Sequence, residues 1–201
     1  MGLAALAGLV DATGFLAADG YFTSFMSGNT TRLAVDIVAE PARAIIPALL
    51  ILGFFLGVVG GALVADWAGP RRKTALLACV GILLLAAATL QQLAWKEGYL
   101  AASVLAMGAL NNTFRKSGES SVAVTYMTGA IVRFGQAVAA WISGKPRPDW
   151  VDNTVLWLSL LAGGIIGTWL FLMTDFNTHW LSAALVLVLL ISARRIEQRD
   201  G

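Results

Sequence analysis

A chain of 201 residues that is 58% hydrophobic and only 13% charged, with a mean hydropathy of +0.75, carries about half the charge of a soluble domain. Its net charge of +2 does not point to nucleic acid, because the basic residues gather at the ends of apolar runs. One cysteine, Cys79, excludes an internal disulfide, and one histidine, His179, excludes a histidine-based metal cluster, so no metal and no cofactor are expected.

Eight apolar segments follow in chain order. The first runs from about Leu3 to Ala18, the second from Thr23 to Val38, the third from Ile45 to Val64 and the fourth from Thr74 to Ala94. The second half has segments at about Leu100–Asn112, Val122–Ile142, Val155–Met173 and Leu181–Ala193. Runs of about 20 apolar residues, such as Ile45–Val64, are long enough to cross a bilayer. The first segment lacks a basic flank and carries Asp11, so it does not read as a cleaved signal peptide. Pro41 and Pro47 suit the start of the third segment, where a missing amide donor costs little. Gly20, Ala68-Gly69-Pro70 and Lys145-Pro146-Arg147-Pro148 are breaks. No linker or low-complexity tract divides the chain, so one transmembrane domain is expected over 1–201.

Within it the sequence repeats. Ser24-Phe25-Met26-Ser27-Gly28 returns as Thr125-Tyr126-Met127-Thr128-Gly129, each residue matched in kind, and an arginine stands four residues past each glycine, Arg32 and Arg133. The shared offset of 101 also sets Asn112 opposite Asp11. An internal duplication follows, with one repeat at about 1–94 and the other at about 95–201.

Basic residues then choose a topology. If all eight segments cross, seven Lys and Arg on one side face five on the other, which decides nothing. If the second and sixth segments dip in and return, ten lie on the side of the N-terminus (Arg71, Arg72, Lys73, Arg115, Lys116, Lys145, Arg147, Arg194, Arg195 and Arg199) against Arg43 and Lys96. The expected fold is therefore an all-α integral membrane protein with six crossing helices plus two re-entrant or broken segments, in two inverted repeats. It would sit in a bacterial inner (cytoplasmic) membrane with both termini cytoplasmic. Gly53, Gly57 and Gly61, with Gly163 and Gly167, have the spacing that lets membrane helices approach closely. Trp67, Trp95, Trp141, Trp150 and Trp180 fall at segment ends, as an interfacial belt requires.

Asp11-Ala12-Thr13-Gly14-Phe15, Ser24–Thr30, Asn111–Arg115 and Thr125–Gly129 together resemble the YoaK-like family of bacterial multi-span membrane proteins, over most of the chain. The resemblance implies a small inner-membrane protein of unknown function. It supplies neither a substrate nor catalytic residues, so chemistry has to be read from the side chains.

Gly28 and Gly129 permit a sharp backbone turn, and a broken segment is tolerated in a membrane where protein or a water-filled cavity satisfies its amides. Helix N-termini would then begin near Asn29-Thr30 and Ala130-Ile131, carrying partial positive charge at mid-depth. Paired breaks at matching positions of two repeats mark transport sites. Arg32 and Arg133 beside them would attract an anion. The structural alternative pairs Arg32 with Asp11 or Asp36. Ser27, Asn29, Thr30, Thr128 and Asn112 are donors and acceptors for a solute, and Asp11 is a proton relay, a cation ligand or the counter-ion of Arg32. No nucleophile–base set, phosphate loop or dinucleotide motif can be assembled, so an enzyme is not expected. The expected function is transport or channelling of a small, anionic solute held between the two M-[ST]-G segments. The alternative is a membrane scaffold or accessory protein whose buried polar residues only pack helices. The expected partners are a small-molecule or ionic solute and the lipid bilayer, with no nucleic acid, and a homo-oligomer is compatible with the sequence.

Overall fold

The computed structural model describes residues 1–114, 127–145, 151–173 and 178–200. Among the described residues every regular element is a helix: α1 Gly2–Ala17, α2 Met26–Ala39, α3 Ile45–Ala68, α4 Arg72–Gln92, α5 Lys96–Leu110, α6 Met127–Ile142, α7 Val151–Met173 and α8 His179–Asp200. Short 3₁₀ turns at Gly69–Arg71 and Asn111–Phe114 follow α3 and α5. Three helical stretches are long and apolar enough to cross a membrane: 45–92, which holds α3 and α4, Val151–Met173 and His179–Gln198. The apolar helix Gly2–Ala17 is shorter.

The ends of these helices are set by local chemistry. α1 stops where Asp19 and Gly20 take left-handed backbone angles (φ 52° and 82°), and the Gly20 amide bonds back to the Phe15 carbonyl at 2.9 Å. α3 stops at Gly69 (φ 53°), with Pro70 behind it. α4 closes in the manner of α1, with Ala94 left-handed and the Trp95 amide bonded to the Leu90 carbonyl.

Contacts along the helices give their directions. A β-carbon on Gly8 would collide with the Leu160 carbonyl oxygen, one on Gly163 with that of Ala5, and Gly167 lies against Leu9. From Ala5–Gly163 to Leu9–Gly167 both numbers rise by four, so α1 and α7 run parallel. From Gly57–Leu105 to Gly61–Ala109 both numbers again rise by four, so α3 and α5 also run parallel, with Gly108 against Phe54 in the same seam. Lys96, at the start of α5, pairs with Asp19 just beyond α1, while Met107 and Leu110 share a core with Leu6 and Val10. α5 therefore opposes α1. Thr74 beside Glu197 and Gly81 beside Val186 make α4 and α8 antiparallel.

α5 is the axis of the bundle, buried almost continuously from Gly98 to Leu110 between α1, α3 and α4. One apolar cluster joins Leu6, Leu77, Leu84, Met107 and Val186; a second, nearer Asp19, joins Tyr21, Leu50, Ala87, Tyr99 and Val104.

The two parallel pairs share one contact pattern. Gly8 against Leu160 corresponds to Gly108 against Phe54, and Gly163 against Ala5 corresponds to Gly57 against Leu105. α1 maps onto α5 with a step of 100 (Gly8 to Gly108), and α7 onto α3 with a step of 106 (Gly163 to Gly57). The sequence offset of 101 sets Asn112 opposite Asp11. Packing shifts this by one residue and brings Asn111 into that place.

Candidate functional site at the break before α2

Asp11 lies six residues before the end of α1, about 9 Å along the helix from Ala17. After the turn at Asp19-Gly20 the chain comes back alongside α1 without helical structure. The Thr23 and Ser24 amides each donate to Asp11 Oδ1 at 2.8 Å, and the Thr23 hydroxyl donates to the same oxygen at 3.3 Å. Gly14 makes room for Thr23, since a β-carbon there would lie 2.6 Å from its methyl group. Asp11 thus satisfies backbone amides that have no helical partner, and a carboxylate is the strongest acceptor available to them.

α2 begins at Met26, so the break falls at Thr23–Phe25 and not at Gly28. Gly28 lies in the first turn of α2, where a β-carbon would be 2.5 Å from Phe25 and 2.8 Å from Phe22. Its need is space for two rings that pack edge to face at 5.2 Å. Asn29 is fully buried and closes the break: its Oδ1 accepts from the Phe22 amide at 3.1 Å and its Nδ2 donates to the Phe22 carbonyl at 2.7 Å. Both ends of its amide are committed, which makes it a positioning residue.

Arg32, about 9 Å further along α2 than Met26, reaches the Asp19 carbonyl at 3.4 Å and stands 4.8 Å over the Tyr21 ring. α2 therefore heads back toward the end of the bundle at which α1 finishes. The expected pairing of Arg32 with Asp11 or Asp36 is not what forms: among the described residues the ion pairs are Arg43–Glu40 and Lys96–Asp19. Lys96 holds the Asp19 carboxyl below its ordinary value, by a hydrogen bond first and by charge second.

The remaining candidates scatter. Ser27 and Thr30 are exposed on α2, and the Thr30 hydroxyl donates to the Met26 carbonyl at 2.8 Å. Asn112 Nδ2 donates to the Val58 carbonyl of α3 at 3.0 Å, and Asn111 Nδ2 to the Met107 carbonyl at 2.8 Å. Thr128 and Arg133 are exposed and Gly129 half-buried within α6, which is described from Met127 onward. The stretch before Met127, with Thr125 and Tyr126, lies outside the described residues.

A groove of about 690 Å³ opens between α1 and α7, with Asp11, Phe15, Phe22, Thr168 and Trp169 in its walls. Neither arginine lines it. Behind Asp11, the hydroxyls of Thr13 and Thr23 both approach the Val10 carbonyl at 3.3 Å. The buried Tyr99 hydroxyl and Ser103 Oγ lie close to Thr13 and to each other, and neither reaches full hydrogen-bond geometry among the described residues. Sequence reading missed these two. An isolated Tyr and Ser four apart in an apolar run was the available signal, and it is too common to single out.

Long apolar spans packed through glycine contacts, with polar backbone bound inside the bundle, define a multi-span helical membrane protein. The family model described as protein of unknown function (DUF1275) matches residues 1–192. The chain is also 32% identical over 195 residues to the UPF0700 transmembrane protein RA0705 of Rhizobium meliloti (strain 1021), covering 96% of this chain and 84% of that one. The chain belongs to this family of membrane proteins of unknown function, as the Asp11–Phe15 and Ser24–Thr30 stretches indicated. No solved structure matches it.

Proposed function

We propose that the protein is a small-solute transporter or channel of the bacterial inner membrane, built from six crossing helices and two re-entrant segments in two inverted repeats. The observation that carries this reading is the break at Thr23–Phe25, held on Asp11 inside the bundle and followed at once by the N-terminus of α2. Discontinuous segments of this kind recur at the substrate sites of secondary transporters. The helix directions support the topology. α5 ends and α7 starts at the end of the bundle where α1 starts, so whatever lies between them returns to its own side. The matched glycine contacts support a two-fold relation that exchanges α1 with α5 and α3 with α7. Both termini then face the cytoplasm, in keeping with the excess of Lys and Arg on that side.

The solute in this reading is anionic. Arg32 spends one donor on a carbonyl and meets no carboxylate, and Arg133 on α6 makes no ion pair among the described residues. Arg133, exposed on an apolar helix, would cost about 3 kcal/mol on insertion scales if placed inside the bilayer, which a bound anion would offset. Asp11 positions the break and couples a proton. Asn29, Asn112 and Thr113, all spent on backbone carbonyls or amides, favour the scaffold as the second reading.

Flux through purified protein in sealed vesicles separates the two. A panel of inorganic and carboxylate anions is expected to include one that moves, with Arg32→Gln and Arg133→Lys each slowing it while the protein stays folded. Flux absent across the panel, or unchanged in both variants, leaves the arginines structural and the scaffold reading in place.

A further inference from the structure

A second cavity lies far from the break, at the end of the bundle where α3 gives way to α4 and where α8 finishes. It encloses about 460 Å³, and its walls are Pro70, Arg71, Thr74, Arg194, Glu197 and Gln198. The one carboxylate in it is already committed. Glu197 accepts from the Lys73 amide at 2.9 Å, from the Thr74 amide at 3.4 Å and from the Thr74 hydroxyl, so it caps the first turn of α4. Arg194 stands one turn from Glu197 on α8, yet neither it nor Arg71 makes an ion pair among the described residues. Arg72, Lys73 and Arg195 adjoin the wall residues in sequence, and Asp66, on α3 before the turn, is engaged in an interaction of its own. Two guanidinium groups therefore share a cavity with a carboxylate whose lone pairs point into a helix end.

Location identifies the ligand. The walls stand where two apolar spans stop, 45–92 at its internal turn and His179–Gln198 at its end, which is the depth of the lipid headgroups. Paired guanidinium groups hold phosphate oxygens through parallel charge-assisted hydrogen bonds, and basic pockets at helix ends are where anionic headgroups bind.

We propose that this cavity binds the phosphate of an anionic phospholipid, with Arg71 and Arg194 as its ligands and Glu197 holding the two helices in place around it. The site is independent of the transport reading.

Binding can be measured on the detergent-solubilised full chain with short-chain phosphatidylglycerol, short-chain phosphatidylcholine and inorganic phosphate as separate probes. Phosphatidylglycerol is expected to bind saturably, and phosphatidylcholine and inorganic phosphate much more weakly. Arg71→Gln with Arg194→Gln is expected to weaken phosphatidylglycerol at least about tenfold, the scale of losing charge-assisted contacts. Arg43→Gln, at the opposite end of the bundle, is expected to change nothing, which controls for a general loss of charge. Three results overturn the proposal: equal binding of both lipids, equal binding of free phosphate, or an undiminished affinity in the folded double variant.

Discussion

At the scale of single residues, Asp11 is the side chain on which the most backbone depends. Its Oδ1 serves two amides that no helix would satisfy, and leaving such buried groups unpaired costs about 1–3 kcal/mol each. Asp11→Ala should therefore lower thermal stability in detergent sharply. Asp11→Asn keeps an acceptor oxygen and should cost distinctly less. Equal losses for the two would mean that charge, not hydrogen bonding, is what the break needs. Asp19 makes a smaller, pH-dependent contribution. Its folded carboxyl sits below the ordinary 3.8 because of Lys96, so the contact stabilises fully above that value and is lost as pH falls through the lowered one. Asp19 is exposed and Lys96 partly so, and the effect is therefore modest and screened by salt. A melting-temperature series on the acid side should show a shallower decline in Lys96→Gln than in the unmodified protein.

Among the elements, the closest approaches are the parallel pairs α1–α7 and α3–α5, and both depend on glycine. On α3 the contrast is internal. Gly57 faces the Leu105 backbone, while nothing lies within 4 Å of a β-carbon placed on Gly60. Gly57→Ala should destabilise by about 1–3 kcal/mol through overpacking. Gly60→Ala should be neutral or stabilising by up to about 1 kcal/mol, because alanine favours the helix. Gly8→Ala and Gly108→Ala should resemble Gly57→Ala and each other, since they occupy corresponding places in the two pairs. Thermal unfolding of the four variants in one detergent checks this, and a tolerant Gly108 beside an intolerant Gly8 would weaken the two-fold relation.

For the whole molecule the testable matter is which loops share a side. With Cys79→Ala as background, Ala42→Cys and Glu97→Cys should react with a membrane-impermeant maleimide added to intact cells. Pro70→Cys and Ser143→Cys should react only after permeabilisation. The outcome at Ser143 carries the most weight. If it labels together with Ala42, α6 crosses the membrane, the number of crossings changes and the inverted relation fails. A reporter fused after Gly201 should be active on the cytoplasmic side, and activity only outside would reverse the orientation.

The membrane class, the eight segments and most of their boundaries were legible in the chain, because apolar length and charge at the ends are local properties that lipid reads directly. α3 and α7 begin and end within a few residues of the runs expected for them. The first copy of the hydroxyl-aromatic-Met-hydroxyl-Gly stretch lies beside the break, while the start of its second copy lies outside the described residues. Other features were decided only when helices met. The break moved from Gly28 to Thr23–Phe25 because its amides are satisfied by Asp11, a partner twelve residues away across the turn. Arg32 turned to Tyr21 and the Asp19 carbonyl because those groups lie at its depth and Asp11 does not. Asn111, not Asn112, took the place opposite Asp11, since register between helices is set by which carbonyl lies over which glycine. Gly8 and Gly108 stood out only in three dimensions: a lone glycine in an apolar helix looks the same whether it faces lipid or a neighbouring backbone. Composition and period can say that a residue lies in the membrane, but what it touches there depends on helix rotation and depth, which packing alone determines.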